Sequence, residues 1–242
     1  MFKTVIVNDY DEMSGCAFGI VKDIVTAKPN CVLGLATGSS PIGLYQRMVQ
    51  DHRKNETSYN AVTTVNLDEY IGLAQDHPES YSSFMHQHLF SGVNVSAENI
   101  HLPKDGVNLN EQCEKYDALL DGLDIDLQVL GIGSNGHIGF NEPGTAFDSK
   151  THVVNLNEST RRDNARFFAS IDEVPTQAIT MGIASILKAK KILVIASGEN
   201  KAEAIAAMLN GPQTTDAPAS ALQSHQNVVV IVDRAAASKL SF

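Results

Sequence analysis

Short apolar runs alternate with amphipathic helical segments along the whole chain, and this alternation limits the folds that it can adopt. The apolar runs are rich in Val, Ile and Leu, as is typical of parallel strands covered on both faces. The sequence therefore predicts an α/β fold: a single open, doubly wound, mostly parallel sheet with helices on both faces (Rossmann-like). The predicted strands are residues 5–7, 31–36, 62–67, 127–130, 191–196 and 228–232. The predicted helices are residues 13–27, 41–49, 78–90, 110–120, 160–168 and 201–209.

The composition excludes several classes of protein. A chain of 242 residues has the length of one α/β domain, so we expect residues 1–242 to form a single domain. The net charge of −10 disfavours a nucleic-acid or anionic membrane surface, and no apolar run approaches the roughly 18 residues of a membrane span. Cys16, Cys31 and Cys113 lie far apart without metal-ligand spacing, which indicates reduced thiols and a cytoplasmic protein.

Residues 131–143 follow a predicted strand and read Gly-Ile-Gly-Ser-Asn-Gly-His-Ile-Gly-Phe-Asn-Glu-Pro. Glycines let a backbone approach a ligand closely, and a histidine can transfer protons near neutral pH. His137 and Glu142 lie across this turn, so they are a candidate acid–base pair. Asn135 could hydrogen-bond a substrate hydroxyl or the imidazole.

Two other interpretations of this segment stay open. Gly131, Gly133 and Gly136 match the Gly-x-Gly-x-x-Gly pattern of dinucleotide-binding folds, which opens a helix that binds pyrophosphate. Pro143 disfavours a helix through that point, and the match lies in mid-chain. The other alternative is a glycine turn with a chance histidine.

Thr37, Gly38, Ser39 and Ser40 lie between a predicted strand and a predicted helix that starts at Pro41. Backbone amides and the helix dipole at such a junction bind anions, and the hydroxyl groups add donors. The segment lacks the Gly-Lys-Ser/Thr ending of a P-loop, so it favours a phosphate group over an Mg-nucleotide. Helix capping by Ser39 or Ser40 is the structural alternative.

Asp68 and Glu69 follow the third predicted strand directly. Neighbouring carboxylates in a cleft oppose double ionisation, which can leave one of them as a base for a carbon acid. The structural alternative is that Asp68 caps the start of a helix.

Cations follow in the second half of the chain. Arg161, Arg162 and Arg166 lie on one predicted helix, and Lys201 begins another after a predicted strand. Cations that converge on an anion-binding loop suit a phosphate monoester, although each one alone could be a solvated surface residue. The residues by themselves therefore predict an enzyme without metal or cofactor that moves protons on a small phosphorylated molecule.

Five segments then carry a resemblance to a known family. They are Ala-Thr-Gly-Ser-Ser-Pro at 36–41, Asn-Leu-Asp-Glu-Tyr-Ile-Gly-Leu at 66–73, His-Pro-Glu-Ser-Tyr at 77–81, and residues 131–143 and 159–168. In this order, and covering nearly the whole chain, they resemble the glucosamine-6-phosphate deaminases. The resemblance implies conversion of glucosamine 6-phosphate and water to fructose 6-phosphate and ammonia, in amino-sugar catabolism.

The resemblance also implies roles for particular residues. His137 would help to open the pyranose ring, supported by Asn135 and Glu142. Asp68 would take the C2 proton, give an enediol-type intermediate and return the proton at C1. The phosphate would lie among groups that include Ser39, Ser40, Arg166 and Lys201.

The chain departs from the family at two places. Some members carry an acid at the position of Asn135, so the role of that acid would fall to Glu142. Allosteric members use an Arg/Lys pair at an intersubunit site, whereas residues 151–154 here are Thr-His-Val-Val. We therefore expect a short form without activation by N-acetylglucosamine 6-phosphate, as a monomer or small homo-oligomer.

Two alternative functions are weighed against this one. A 6-phosphogluconolactonase would share the fold and a similar glycine-rich histidine loop, but it would be expected to lack Asn-Glu-Pro at 141–143 and Leu-Asp-Glu-Tyr at 67–70. A sugar-phosphate-sensing domain would need binding residues without the catalytic set, and no helix-turn-helix or basic segment is visible in the sequence.

Overall fold

The structure, a computed structural model, describes residues 2–165 and 168–241. Within these ranges the chain forms a seven-stranded sheet and a three-stranded sheet. The strands are β1 (Phe2–Val7), β2 (Val32–Leu35), β3 (Thr63–Asn66), β4 (Asp68–Tyr70), β5 (Ile100–His101), β6 (Ile125–Leu130), β7 (His152–Asn155), β8 (Gln177–Thr180), β9 (Ile192–Ala196) and β10 (Val228–Asp233). The α-helices are α1 (Tyr10–Ala27), α2 (Ile42–Arg53), α3 (Tyr81–His88), α4 (Leu109–Asp121), α5 (Glu158–Asn164), α6 (Ile183–Ile186) and α7 (Ala202–Asn210).

The larger sheet has the order β1-β10-β9-β6-β2-β3-β5, and its neighbouring strands are all parallel. This confirms the predicted open, doubly wound α/β fold. From β2 the chain proceeds outward to β3 and β5, and it then returns to β6 on the other side of β2. The direction of winding therefore reverses between β2 and β6, which is where open α/β sheets form a ligand crevice at the carboxyl ends of their strands.

Both faces of this sheet are covered, because successive residues of each strand point to opposite sides. In β9, Ile192 and Val194 pack with side chains of α4, α6 and α7, whereas Leu193 and Ile195 pack with side chains of α1, α2 and α3. All four are fully buried. Burying each such side chain contributes about 1.5–3 kcal/mol to stability. A strand with a hydrophobic core on each face therefore needs apolar residues at successive positions, as in this sequence.

The smaller sheet is antiparallel, with β8 between β4 and β7, and the sequence did not predict it. Its strands have three or four residues, and β4 consists of Asp68, Glu69 and Tyr70, which have no apolar pattern of their own. The pairing is set by long-range backbone bonds, such as that from the Met181 amide to the Leu67 carbonyl at 2.6 Å. Asp68 therefore lies in a strand, and the alternative that it caps a helix is wrong.

The helix around residue 160 also differs from its prediction. It begins at Glu158, with Asn157 as the N-cap residue, and ends at Asn164. Thr160 therefore lies inside α5, and its hydroxyl donates to the carboxylate of Glu142. In the described part of the chain, no helix is long and apolar enough to cross a membrane.

Candidate active site

A cavity of about 650 Å³ opens at the carboxyl ends of four adjacent strands, β9, β6, β2 and β3. The loop after each strand contributes to its wall. Seven of the residues predicted from the sequence line it: Thr37, Gly38, Ser39, Ser40, Asp68, His137 and Lys201. Parallel strands bring their carboxyl ends to one edge of the sheet, which is why segments distant in sequence meet here.

Three other predicted residues lie elsewhere. Asn135 and Glu142 lie behind His137 and support it rather than lining the cavity. Arg166 lies outside the described residues, so its predicted place at the phosphate stays a prediction. Among the residues that the structure does describe, no group of three or more His, Cys, Asp or Glu side chains could hold a metal ion.

The loop between β2 and α2 forms a cradle at the start of α2. Gly38 has a φ of +85°, a conformation that glycine adopts without strain and that turns the loop toward the helix. Pro41 is the N-cap residue and no side chain caps the helix, so the alternative of capping by Ser39 or Ser40 is wrong. The hydroxyls of Thr37, Ser39 and Ser40 are thus not consumed as caps, and their residues line the cavity.

Tyr10, at the start of α1, supports this cradle from below. Its hydroxyl donates to the Ser39 carbonyl at 3.0 Å and accepts from the Gly43 amide at 2.8 Å. These two bonds tie the loop to the first turn of α2. No pattern in the sequence indicated Tyr10, since it contacts the loop only through the packing of α1 on α2.

Lys201 reaches the cavity from the turn after β9. The turn is held by the carboxylate of Asp233, which accepts from the Ser197 hydroxyl at 2.5 Å and from the Gly198 amide at 3.1 Å. Burial would raise the pKa of Asp233, but these bonds outweigh it and lower that pKa. The carboxylate therefore stays ionised and orders the turn that carries Lys201.

Asp68 projects into the cavity from β4 and is only 5% exposed. Burial, with a further contribution from the charge of Glu69, raises the pKa of Asp68 to about 8. Glu69 points to the opposite side of the strand, where its carboxylate accepts from the amides of Tyr81 and Ser82 at 2.9 Å. The structure thus separates the two adjacent acids: Glu69 anchors the start of α3, and Asp68 is the carboxylate available to a ligand.

His137 and Glu142 face each other across the loop after β6, with 3.6 Å between His137 Nδ1 and Glu142 Oε1. Asn135 donates to Glu142 Oε2 at 2.7 Å, so it bonds the carboxylate rather than the imidazole. Thr160 donates to Oε1 at 2.5 Å and Asn157 to Oε2 at 3.1 Å. Burial favours the neutral acid, but the contact with His137 and the bonds from Thr160 and Asn135 outweigh it and lower the pKa of Glu142 to about 2.

The glycines of this loop serve the imidazole and not a nucleotide. A Cβ atom on Gly133 would lie 2.4–2.5 Å from the ring atoms of His137, so only glycine lets the ring lie against the backbone. Gly139 has a φ of +57°, and a Cβ atom there would lie 3.3 Å from Asp68 Oδ2. No helix follows Gly136 within the loop, so the dinucleotide interpretation is wrong.

Several residues of the site were not singled out from the sequence. Tyr81 lies in a segment that carried the family resemblance, and its ring stacks on Phe140 in the cavity wall. Asn164 of α5 also lines the cavity and donates to the Tyr70 hydroxyl at 2.9 Å. The hydroxyl of Thr180 accepts from the Phe140 amide at 3.1 Å, which joins β8 to the histidine loop.

Two predicted cations do not serve the site. Arg161 donates to the carbonyls of Ile171 and Val174, which ties α5 to the segment that follows it. Arg162 forms an exposed ion pair with Glu158, one helical turn earlier. Neither Arg161 nor Arg162 lines the cavity.

The chain is similar to known proteins over nearly its whole length. The family model for glucosamine-6-phosphate isomerases/6-phosphogluconolactonase matches residues 16–231. A glucosamine-6-phosphate deaminase of Thermoanaerobacter sp. (strain X514) is 51% identical over 239 residues, which are 98% of this chain and 94% of that protein. Glucosamine-6-phosphate deaminase 2 of Bacillus subtilis (strain 168) is 49% identical over 242 residues, covering 98% of this chain and 97% of that protein.

Solved structures give the same picture. A structure described as a monomeric glucosamine-6-phosphate deaminase superposes with a TM-score of 0.96 at 48% identity, covering 98% of this chain and all of that one. A 6-phosphogluconolactonase from Trypanosoma brucei superposes with a TM-score of 0.81 at 17% identity, which shows a shared fold alone.

Proposed function

The chain belongs to the family of glucosamine-6-phosphate isomerases and 6-phosphogluconolactonases, and we propose that its cavity deaminates glucosamine 6-phosphate. The products are fructose 6-phosphate and ammonia. One observation carries the assignment of the site: a buried carboxylate, Asp68, shares one cavity with an anion cradle and with His137. Moving a hydrogen from C2 to C1 of a phosphosugar needs these three parts together.

The phosphate group binds in the cradle. The hydroxyls of Ser39 and Ser40 and backbone amides at the start of α2 donate to its oxygens, and Lys201 in the cavity wall supplies positive charge. Arg166 is proposed as a further phosphate ligand on the family resemblance. This end of the substrate does not react, so its binding energy serves to place C1 and C2 deeper in the cavity.

His137 opens the pyranose ring. The proton of the C1 hydroxyl passes to the imidazole and a proton reaches the ring oxygen as the C1–O5 bond breaks, which gives the open-chain aldehyde. Glu142, ionised because its pKa is about 2, stabilises the imidazolium that forms during this transfer. Asn135 holds Glu142 in place, so an amide at position 135 is compatible with ring opening.

Asp68 then moves the carbon-bound hydrogen. It removes the C2 proton, and the electron pair forms an enediol-type intermediate across C1 and C2. Returning the proton to C1 leaves an imine at C2, which water hydrolyses to the ketone and ammonia. A carboxylate whose pKa is raised to about 8 is a far stronger base than an exposed aspartate, and it works near neutral pH.

The lactonase alternative is not favoured by the same geometry. Hydrolysis of a lactone needs a water molecule activated at a carbonyl group, and no hydrogen leaves carbon. Burying Asp68 raises its pKa and lowers the stability of the folded protein. Removal of a proton from carbon requires such a strong base, whereas hydrolysis of a lactone does not.

Residues 1–242 are proposed to form one domain that works as a monomer in the cytoplasm. The structure that superposes with a TM-score of 0.96 is described as monomeric, which supports the monomer. The three cysteines are free thiols, which supports a reducing compartment. Light scattering measures the molecular mass and so tests the monomer. We also propose that N-acetylglucosamine 6-phosphate does not activate the enzyme. Sigmoidal kinetics that this compound relieves would contradict that proposal.

The decisive experiment measures both products from glucosamine 6-phosphate. We expect ammonia and fructose 6-phosphate in equal amounts. Glucose 6-phosphate is the matched control, because it lacks the amino group and cannot release ammonia. Hydrolysis of 6-phosphogluconolactone without ammonia from glucosamine 6-phosphate would overturn the assignment in favour of the lactonase.

A further inference from the structure

The carboxylate of Glu142 is held by more donors than a proton-transfer pair requires. Asn135 and Asn157 donate to Oε2 at 2.7 Å and 3.1 Å. The hydroxyl of Thr160 donates to Oε1 at 2.5 Å, and Thr160 is only 4% exposed. Thr160 comes from α5, a different element from the loop that carries Glu142 and His137.

Oε1 is also the oxygen that faces the imidazole. His137 Nδ1 lies 3.6 Å from it, and this buried nitrogen has no hydrogen-bond partner among the described residues. The orientation of the ring toward an acceptor therefore depends on where Oε1 lies. Hydrogen bonds to an ionised carboxylate are short and about twice as strong as neutral ones, so the Thr160 hydroxyl can fix that oxygen.

We propose that Thr160 is a positioning residue for ring opening, whose hydroxyl fixes Glu142 Oε1 opposite His137 Nδ1. The proposal depends on the roles given above to His137 and Glu142. Thr160 acts through Glu142 and does not itself transfer the proton.

The attachment of α5 does not depend on this hydroxyl. Arg161 bonds the carbonyls of Ile171 and Val174, and Asn164 bonds the Tyr70 hydroxyl. Replacing Thr160 by valine keeps the branched shape of the side chain and exchanges its hydroxyl for a methyl group. The helix should therefore remain in place while Glu142 Oε1 loses its fixed position.

The test compares three substitutions at one position with a matched control. Thr160→Val and Thr160→Ala remove the hydroxyl, whereas Thr160→Ser keeps it. We expect kcat on glucosamine 6-phosphate to fall about 10- to 100-fold in the first two, with KM within about threefold, and to stay within about threefold in the serine variant. The Ser/Ala pair differs by the hydroxyl alone, so it decides the question even if the valine variant does not fold.

Thr151→Val is the control, because Thr151 is also buried and its hydroxyl has no partner among the described residues. It should leave kcat unchanged. An equal loss of kcat in Thr151→Val, or in Thr160→Ser, would overturn the proposal. An unchanged kcat in both Thr160→Val and Thr160→Ala would also overturn it. If the wild-type protein itself releases no ammonia, the proposed function is refuted instead.

Substrate deuterated at C2 identifies the step that Thr160 serves. If Thr160 serves ring opening, the C2 isotope effect on kcat in Thr160→Ala should be no larger than in the wild type. An isotope effect that increases would place the loss at proton removal by Asp68, and the assignment of Thr160 to Glu142 would then be wrong.

Discussion

The two ends of the cavity are built in different ways. The proposed phosphate end is built mainly from one continuous segment, residues 37–41 and the first turn of α2, which offers backbone amides and hydroxyls, and Lys201 joins it from the turn after β9. The proton-transfer end is assembled from the short strand β4, the histidine loop and α5, and it offers buried side chains. Anion binding can be encoded locally because the peptide backbone supplies it, whereas an altered pKa needs burial that only distant segments provide.

The largest effect that this comparison predicts is at Asp68. Asp68→Asn removes the base but keeps the size of the side chain, so kcat should fall by about 10⁴-fold, the upper end for general acid–base catalysis. Exchange of the C2 proton with solvent should stop, as followed by NMR. In the wild type, kcat/KM should rise with pH up to about 8, because the carboxylate must be ionised.

Binding should survive this substitution, since the phosphate end is separate. Calorimetry with fructose 6-phosphate should give an affinity within about threefold of the wild type. C2 exchange that persists in Asp68→Asn would show that another group is the base.

At the proposed phosphate end we expect a substitution to change KM more than kcat, the reverse of the effect at Asp68. Lys201→Met removes one positive charge from the proposed phosphate end of the cavity and should raise KM about 10- to 100-fold, with a smaller change in kcat. Steady-state kinetics measures both constants. A fall in kcat with unchanged KM would contradict the separation of the two ends.

Burial of Asp68 also has a cost in stability. Its pKa is about 8 in the folded protein and 3.8 in an unperturbed aspartate, so the folded state holds a proton that the unfolded chain releases. The wild type therefore loses stability as pH rises from about 4 to about 8, and Asp68→Asn does not. We expect Asp68→Asn to be more stable above pH 8 by on the order of 6 kcal/mol, with the gain vanishing toward pH 4.

Urea unfolding of both proteins across this pH range measures the difference. A gain that is the same at pH 4 and pH 9 would arise from packing and not from the charge of Asp68.

The smallest effect is expected at Tyr10, which supports the cradle without touching the chemistry. Tyr10→Phe removes the hydroxyl between the Ser39 carbonyl and the Gly43 amide, so KM should rise about threefold and kcat should not change. Tyr59→Phe is the matched control, because the buried Tyr59 hydroxyl has no partner among the described residues. Equal KM values in the two variants would show that the cradle does not depend on Tyr10.

At the proposed phosphate end, the sequence singled out four consecutive residues that line the cavity. Thr37, Gly38, Ser39 and Ser40 were found because a strand, a small polar loop and a helix follow each other directly. Tyr10 was not, since its two bonds to the loop arise from the packing of α1 against α2. The order of strand, loop and helix along the chain indicates an anion-binding loop, but it does not indicate which distant residues stabilise that loop.

At the proton-transfer end the sequence supplied candidates and the structure distinguished them. In the sequence Asp68 and Glu69 are two neighbouring acids that cannot be distinguished. In the structure they lie on opposite sides of β4, so that Asp68 lines the cavity and Glu69 bonds the start of α3. Thr160 was predicted as the first residue of a helix, whereas in the structure its hydroxyl donates to Glu142. The small antiparallel sheet that sets these directions has no apolar pattern long enough to predict.

The sequence by itself determined the parallel sheet, its two covered faces and the residue types of the site, because apolar periodicity and strand–loop–helix order are local properties of a chain. The tertiary structure alone decided which carboxylate lines the cavity with a raised pKa and which anchors the start of α3. Both depend on burial and on hydrogen bonds between segments far apart in sequence, and a pKa is set by those surroundings and not by the neighbours along the chain.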